Sequence, residues 1–333
     1  MQISILDIAV IAVYLLGVTL FGCSFYFKKD SGDAGTFMSG GGRIPGWAIA
    51  LSIFATLVSS ISFLALPAKA CLTNWNCYVL TLTIPVAALM ASVWFVPFYR
   101  KTNSISAYTY LEERFGPWAR IYASACFLIM QSARSGVILF LLALTLKSAL
   151  GFSSLAIIIV TGVLTMLYSM MGGFKAVIWA DAIQSLVLIA GTLAVMASLV
   201  LNMPDGLGSG LRMAWDAGKF SLGSLSLSDW STETFWVSFV YGIFINLQNF
   251  GIDQSFTQRY VAAKDLKSAR KSAFHGAMLY VPVTLMFVLI GTGLWVFQAT
   301  HPGVIPAEVA EQSDSVYPWY IVHMLPHGVS GLL

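Results

Sequence analysis

Charge is what this sequence has least of. Only 10% of its 333 residues are charged, against 58% that are hydrophobic, and the mean hydropathy is +0.79. Soluble domains carry roughly a quarter charged residues. A soluble fold cannot cover this much apolar surface, so the solvent is lipid. The net charge is only +3, too little to draw nucleic acid. Cysteine and histidine are scarce too, at four each. No CxxC or His-rich tract joins Cys23, Cys71, Cys77 and Cys126, which argues against a metal site. Cys71 and Cys77 flank one short connection, within reach of each other; the simpler reading is free, membrane-buried thiols. His275, His301, His323 and His327 lie near the ends of apolar runs or in the last polar stretch. With no HExxH or nucleophile motif beside them, no enzyme is expected. The N-terminus has no basic leader and no small-residue cleavage site, so residues 4–27 read as a retained first span.

What is present is a series of long apolar runs. Eight stand out, at about 4–27, 45–68, 77–99, 121–146, 154–171, 181–202, 235–252 and 273–298. The Gly-rich HGVSGLL end begins a ninth. Most reach the roughly 20 residues that a bilayer core requires. They are far too long for barrel strands of about ten residues, and only helices or closed barrels satisfy the backbone in lipid. The expected fold is therefore all-α and polytopic, one transmembrane domain over 1–333.

The basic residues set its orientation. With the N-terminus outside, thirteen of the eighteen fall in cytoplasmic loops, among them Lys28, Lys29, Arg43, Arg100, Lys175, Arg259 and Lys264. Only Lys147, Arg212 and Lys219 fall outside, while Lys69 and Arg134 sit at membrane depth or its edge. The outer segment 203–233 reads as a short amphipathic helix and a loop at the membrane surface, with an extracellular lid as the alternative. Trp215, Trp230 and Trp236 suit the interfacial belt. The stretch 299–326 reads as an acidic, proline-rich outer loop.

Several polar groups lie where lipid would forbid them. The run Pro45 to Ala70 carries Ser52, Thr56, Ser59, Ser60 and Ser62 in its middle, between Gly46 and Pro67. A helix that opens its backbone to hold an ion or solute has a use for them. Arg134 sits near the centre of 121–146, where a guanidinium costs roughly 3 kcal/mol on insertion scales. It needs either a carboxylate that locks the bundle or an anionic ligand, and its planar fork suits a carboxylate. Asp181 opens the run 181–202, as a first-turn acid favoured by the helix dipole or as a sodium or proton ligand. The seventh run turns polar at Asn246, Gln248, Asn249, Asp253, Gln254 and Gln258, and Gly251 among them suggests an interrupted helix. Gln248 and Asn249 read as cavity residues or as interhelical hydrogen bonders. Two broken spans five apart point to inverted five-helix repeats with the binding site between them. On that reading 4–27 is an extra helix, 45–202 the first repeat and 235–333 the start of the second.

The stretches GGGRIPGWAIALSIFATLVSSISFLALPAKA, SAYTYLEERFG, YSMMGGFKAVIWADAIQ and NFGIDQSFTQRYVAAKD resemble the sodium:solute symporter family, most of all its bacterial sialic acid branch. The resemblance covers essentially the whole chain. It implies a leucine-transporter-like inverted-repeat bundle in a bacterial inner membrane. It also implies a Na⁺-coupled symporter for a small organic solute, by alternating access, with no cofactor beyond the coupling ion. Its partners would be the solute, Na⁺ and the lipid bilayer. A transporter-fold membrane sensor or non-transporting fragment is the alternative. The family's shared sodium site falls on the backbone carbonyls of Ala55 and Val58, completed by hydroxyls of the eighth core helix. In the sialic acid branch, substrate contacts fall on Leu57, Ser59, Ser62, Cys77, Thr81 and Arg134, and a second sodium site on Asp181. Leu57 stands where that branch has a hydroxyl, and Cys77 and Thr81 where it has an aromatic and an amide. These departures count against sialic acid itself, while Arg134 keeps an anionic substrate. The sequence stops before that eighth helix, so it is expected to supply half of each cation site and not to transport alone.

Overall fold

A computed structural model describes residues 4–27, 34–102, 106–150, 152–203, 206–311 and 313–333. Lys28 and Lys29, two of the expected cytoplasmic charges, lie outside the described residues, as do the side chains of Ser60 and Ile61. The chain is 84% helical, with no strand among the described residues. Helix α1 (Ile5–Phe27) precedes a broken pair, α2 (Gly46–Leu57) and α3 (Ser60–Leu72), bent by 53°. Then come α4 (Trp75–Thr102) and α5 (Pro117–Leu150). A 48-residue run, α6 (Ser154–Leu201), follows, and then the short α7 (Gly206–Asp216). After it come α8 (Phe235–Ile252), α9 (Gln254–Ala262), α10 (Leu266–Thr300), α11 (Ser313–Met324) and a last turn, α12 (Val329–Leu332); short helical pieces also lie at Ala34–Ser39, Thr109–Phe115 and Ala307–Ala310.

The run α6 merges two of the expected spans and removes the loop between them. At 1.5 Å per residue a straight helix of this length would be more than twice as long as the roughly 30 Å hydrocarbon core. It turns back at Gly173, whose φ of 63° is open to glycine at little cost. The second arm thus starts at residue 174, not 181. Asp181 lies two turns inside it, too deep for the first-turn role expected of it. Lys175 is helical for the same reason.

Contacts between distant segments fix which helix ends lie together. Ile44 bridges Ala263, and Arg100 donates to the Val261 and Ala263 carbonyls. At the other end, Lys219 Nζ donates to the carbonyls of Cys71, Leu72 and Thr73. Trp75 N–H donates to the Ser221 carbonyl there, and Lys69 pairs with Glu233 at 2.7 Å. Ile44 and Ala263 share an end only if the chain crosses an even number of times between them. Counting α2–α3 as one crossing and α6 as two meets that condition.

Helix α10 is the spine of the bundle. Its Gly276 lies against the Ala50 carbonyl and Ile53 of α2, and its Gly291 against the Pro67 carbonyl of α3. Backbones come this close only where there is no side chain. Ile49, Ile53, Phe54, Ile178, Phe250, Tyr260 and Phe287 form the main core around it. The expected outer loop 299–326 is mostly helical instead. In α11, Tyr317 packs on Phe63 of α3 and Tyr320 on Phe297 of α10, at ring distances of 5.0 and 5.1 Å. All four cysteines are free, with Cys71 and Cys77 buried.

Candidate functional site

The break between α2 and α3 is made by two extended residues. Val58 (φ −81°, ψ 131°) and Ser59 (φ −132°, ψ 169°) leave the helical region together. The Val58 N–H still closes on the Phe54 carbonyl, so Ala55, Thr56 and Leu57 hold the last carbonyls of α2, which a helix cannot satisfy internally. Ser59 Oγ accepts from the Ser62 N–H at 3.4 Å and restarts the helix as its cap. Ala55 and Val58 thus stand at an opened stretch of backbone. The side chains of Leu57 and Val58 pack on the main core.

Around the break, Tyr280 of α10 reaches Ser62 Oγ with its hydroxyl, a long contact of 3.5 Å. Arg134 of α5 and Cys77 of α4 are close enough to Tyr280 to act on it electrostatically. Thr81 lies one turn beyond Cys77 on α4, and both are buried. Arg134 is half-buried and, among the described residues, has no carboxylate within ion-pair reach. Of the two alternatives for Arg134, the carboxylate lock is therefore absent from the described residues.

The polar neighbours of Gln248 and Asn249 in the seventh run tie segments of the chain together. Asn246 is buried and donates to the Leu80 carbonyl and Thr83 Oγ1, tying α8 to α4. Asp253, not Gly251, breaks the helix (φ −72°, ψ 124°) and caps α9 by accepting from the Ser255 N–H at 2.7 Å. Gln254 and Gln258 bind backbone groups at Ala107 and Met38. Gln248 is exposed on a stripe with Tyr241, Phe244 and Ile252, and Asn249 is half-buried. No described contact links either of them to Ser59, Ser62 or Arg134.

Asp181 has acquired a partner. Its Oδ2 accepts from Ser52 Oγ at 2.5 Å and from Arg259 Nη2 at 2.8 Å. Arg259 also donates through Nε to Ser52 Oγ and through Nη1 to the Ser255 carbonyl, and stacks over Phe174. Ser185 Oγ donates to the Asp181 and Leu51 carbonyls. This knot joins α2, the second arm of α6 and α9. Counting Arg259 as a loop charge missed it. The available signal was that a carboxylate inside an apolar helix requires a cation. Tyr280 was also missed, because one tyrosine in an apolar helix looks like core.

The profile of the sodium:solute symporter family matches residues 37–333. The chain is 31% identical over 329 residues to the sodium/sialic acid symporter SiaT of Proteus mirabilis, covering 98% of this chain and 65% of that protein. It is 30% identical over 324 residues to the sodium/sialic acid symporter NanT of Aliivibrio fischeri, covering 97% and 64%. With the human sodium-coupled monocarboxylate transporter 1 it shares 26% over 299 residues, 89% of this chain and 48% of that one. It superposes on the substrate-bound outward-open structure of a Na⁺-coupled sialic acid symporter with a TM-score of 0.94 at 30% identity. That match covers 99% of this chain and 69% of the other. The chain spans just under two thirds of the length of its bacterial relatives. Its fold class is the expected all-α, leucine-transporter-like bundle. The family is one of transporters rather than enzymes, and this chain belongs to the sodium:solute symporter family.

Proposed function

We propose that the chain carries the solute site of a Na⁺-coupled symporter importing a small organic anion, a sialic acid or a related sugar acid or carboxylate. The observation that carries this reading is Arg134, a guanidinium at mid-span with no described carboxylate, set near the break between α2 and α3. Its fork takes a carboxylate in two charge-assisted hydrogen bonds. Ser59, Ser62, Thr81 and the missed Tyr280 offer hydroxyls to the rest of the solute. Cys77 and Thr81 present smaller groups than the aromatic and amide of the sialic acid branch, which favours a compact carboxylate. Gln248 and Asn249 stay as candidate contacts only if α8 turns relative to α3.

The coupling ion sits, on this proposal, at the carbonyls of Ala55 and Val58, hard oxygen ligands suited to Na⁺. A second sodium would meet Asp181, whose Oδ1 has no hydrogen bond among the described residues. Ion and solute then favour the same state, and each raises the other's affinity by linkage. The first five-helix repeat is 45–202, the second begins at 235, and 4–27 is an added helix. The cluster of basic residues at the Ile44–Ala263 end supports a cytoplasmic position for that end and an outer N-terminus, in a bacterial inner membrane.

The test is binding of radiolabelled N-acetylneuraminate and short carboxylates to the chain in nanodiscs, in NaCl and in KCl. Na⁺-dependent binding that weakens about 10- to 100-fold in Arg134→Ala is expected, since a hydrogen bond to a charged group contributes roughly 1.5–3 kcal/mol. Binding indifferent to Na⁺ favours a transporter-fold sensor. Unchanged affinity in Arg134→Ala removes the anion clamp.

A further inference from the structure

A cavity of about 70 Å³ lies beneath α7, at the outer ends of α6 and α10. Leu199 and Met203 come from the end of α6, Leu207, Gly210 and Ala214 from α7, and Val296 from α10. The volume is several times the roughly 10–15 Å³ that one water needs. Its single hydroxyl, on Thr292, already accepts from Trp75 Nε1 and donates to the Val288 carbonyl. A water there would find almost none of the two to four polar partners that hold it. The space calls for an apolar filler.

We propose that this cavity takes one acyl chain of a phospholipid from the adjoining leaflet. Helix α7 is built to lie at that interface. Leu207, Gly210, Leu211 and Ala214 recur at i, i+3, i+4 and i+7 on the face above the cavity. Gly208, Ser209, Arg212 and Asp216 fall on the opposite face, and all are exposed. The rim is continuous with the lipid-facing surface: Leu201 is 84% exposed at the last turn of α6, and Leu207 and Leu211 are exposed at the mouth. Trp215 and Arg212 on α7 are exposed, and with the chain seated they would stand where indole rings and cations favour phospholipid. The occupant would also bear on the broken helix. Three residues after α7 ends, Lys219 reaches the carbonyls of Cys71, Leu72 and Thr73 at the end of α3. The chain under α7 thus sets the height of the strap that holds the outer half of the break. The inference rests on membrane embedding and not on the identity of the transported solute.

The test uses the whole chain in nanodiscs of phosphatidylethanolamine and phosphatidylglycerol, doped with a phospholipid carrying a diazirine on its acyl chain. Peptides labelled on irradiation are mapped by mass spectrometry. Saturable labelling of residues 196–214 and 289–296, severalfold above the exposed face of α1, is expected. Ala214→Leu and Gly210→Leu, which fill the space, should abolish the saturable part and leave α1 labelling unchanged. Should either variant fail to fold, saturation in the wild-type chain decides alone. Labelling that rises linearly with probe at the cavity and on α1 alike overturns the proposal, as does stronger labelling by a water-soluble diazirine.

Discussion

Arg259 and Asp181 show how a charge pair is tolerated at this depth. Both side chains are nearly buried, at 9% and 16% exposed, and each of the three guanidinium nitrogens of Arg259 donates to an oxygen. Removing one partner of such a pair strands the other and costs about 3–5 kcal/mol. Asp181→Asn and Arg259→Gln should each lower thermal stability by that order, and the double variant by clearly less than the sum. Strict additivity in thermal unfolding would show that the two do not act as a pair. In the sequence Asp181 reads as a first-turn acid or an ion ligand, but its partner is 78 residues away and no local pattern points to it. Asp229, in the segment between α7 and α8, is the opposite case. Its carboxylate accepts from the Thr232 and Ser231 hydroxyls and both backbone N–H groups, which hold its pKa at about 2. A depressed carboxylate contributes to the folded turn above its ordinary value of 3.8 and loses that contribution as pH falls through about 2. The Asp229 carboxyl carbon should titrate by NMR with a midpoint near 2; a midpoint near 3.8 would mean the turn is not formed.

The element scale separates two uses of glycine and acid that look alike in sequence. The break in the first broken span was legible, because Ser59 and Ser62 supply a restart cap in an otherwise apolar run. The second was expected at Gly251 and lies at Asp253. Gly251 serves close packing against the Phe95 ring, and its carbonyl takes the Tyr99 hydroxyl at 2.7 Å. Asp253 can both leave the helix and cap the next one. The turn at Gly173 was hidden because apolar residues run on through it and the helical pattern never lapses. Glycines on α10 were equally silent, although they set how near α2 and α3 approach. Gly276→Leu and Gly291→Leu would drive a side chain into backbone carbonyls and should cost at least the 1–3 kcal/mol of an overpacked core. Gly136→Leu on α5 meets nothing within 4 Å and should be close to neutral. Melting temperatures of the three variants, measured side by side in detergent, check this order. Equal melting of all three would mean that α10 does not pack against α2 and α3 as described.

At the scale of the whole molecule, one parity condition accounts for the named contacts between helix ends. Asp7 of α1 accepts from Gly328 N–H and from Ser330 Oγ at 2.9 Å, so the first and last described helices begin at the same end. With α6 folded in two, the chain crosses eight times between them, and Lys219, Ser221 and Glu233 join residues 69–75 at that end as they must. The eight apolar runs gave this path in outline; the contacts remove the freedom to miscount it. They leave the two ends distinguishable by charge. Arg43, Arg100, Lys175 and Lys264 gather at the Ile44–Ala263 end, and on the proposed orientation the rule that cytoplasmic ends are richer in lysine and arginine would put that end inside. Single cysteines decide the matter, because Cys71 and Cys77 are buried and only Cys126 is freely exposed among the native thiols. In a Cys23→Ala, Cys126→Ala background, which keeps only the buried Cys71 and Cys77, Ser228→Cys and Lys264→Cys each put a thiol at an exposed position, one at each end. A membrane-impermeant maleimide added to intact cells should label Ser228→Cys and leave Lys264→Cys untouched until the membrane is opened. The reverse pattern would invert the bundle, put the N-terminus inside and move the Lys219 strap and the cavity beneath α7 to the cytoplasmic leaflet.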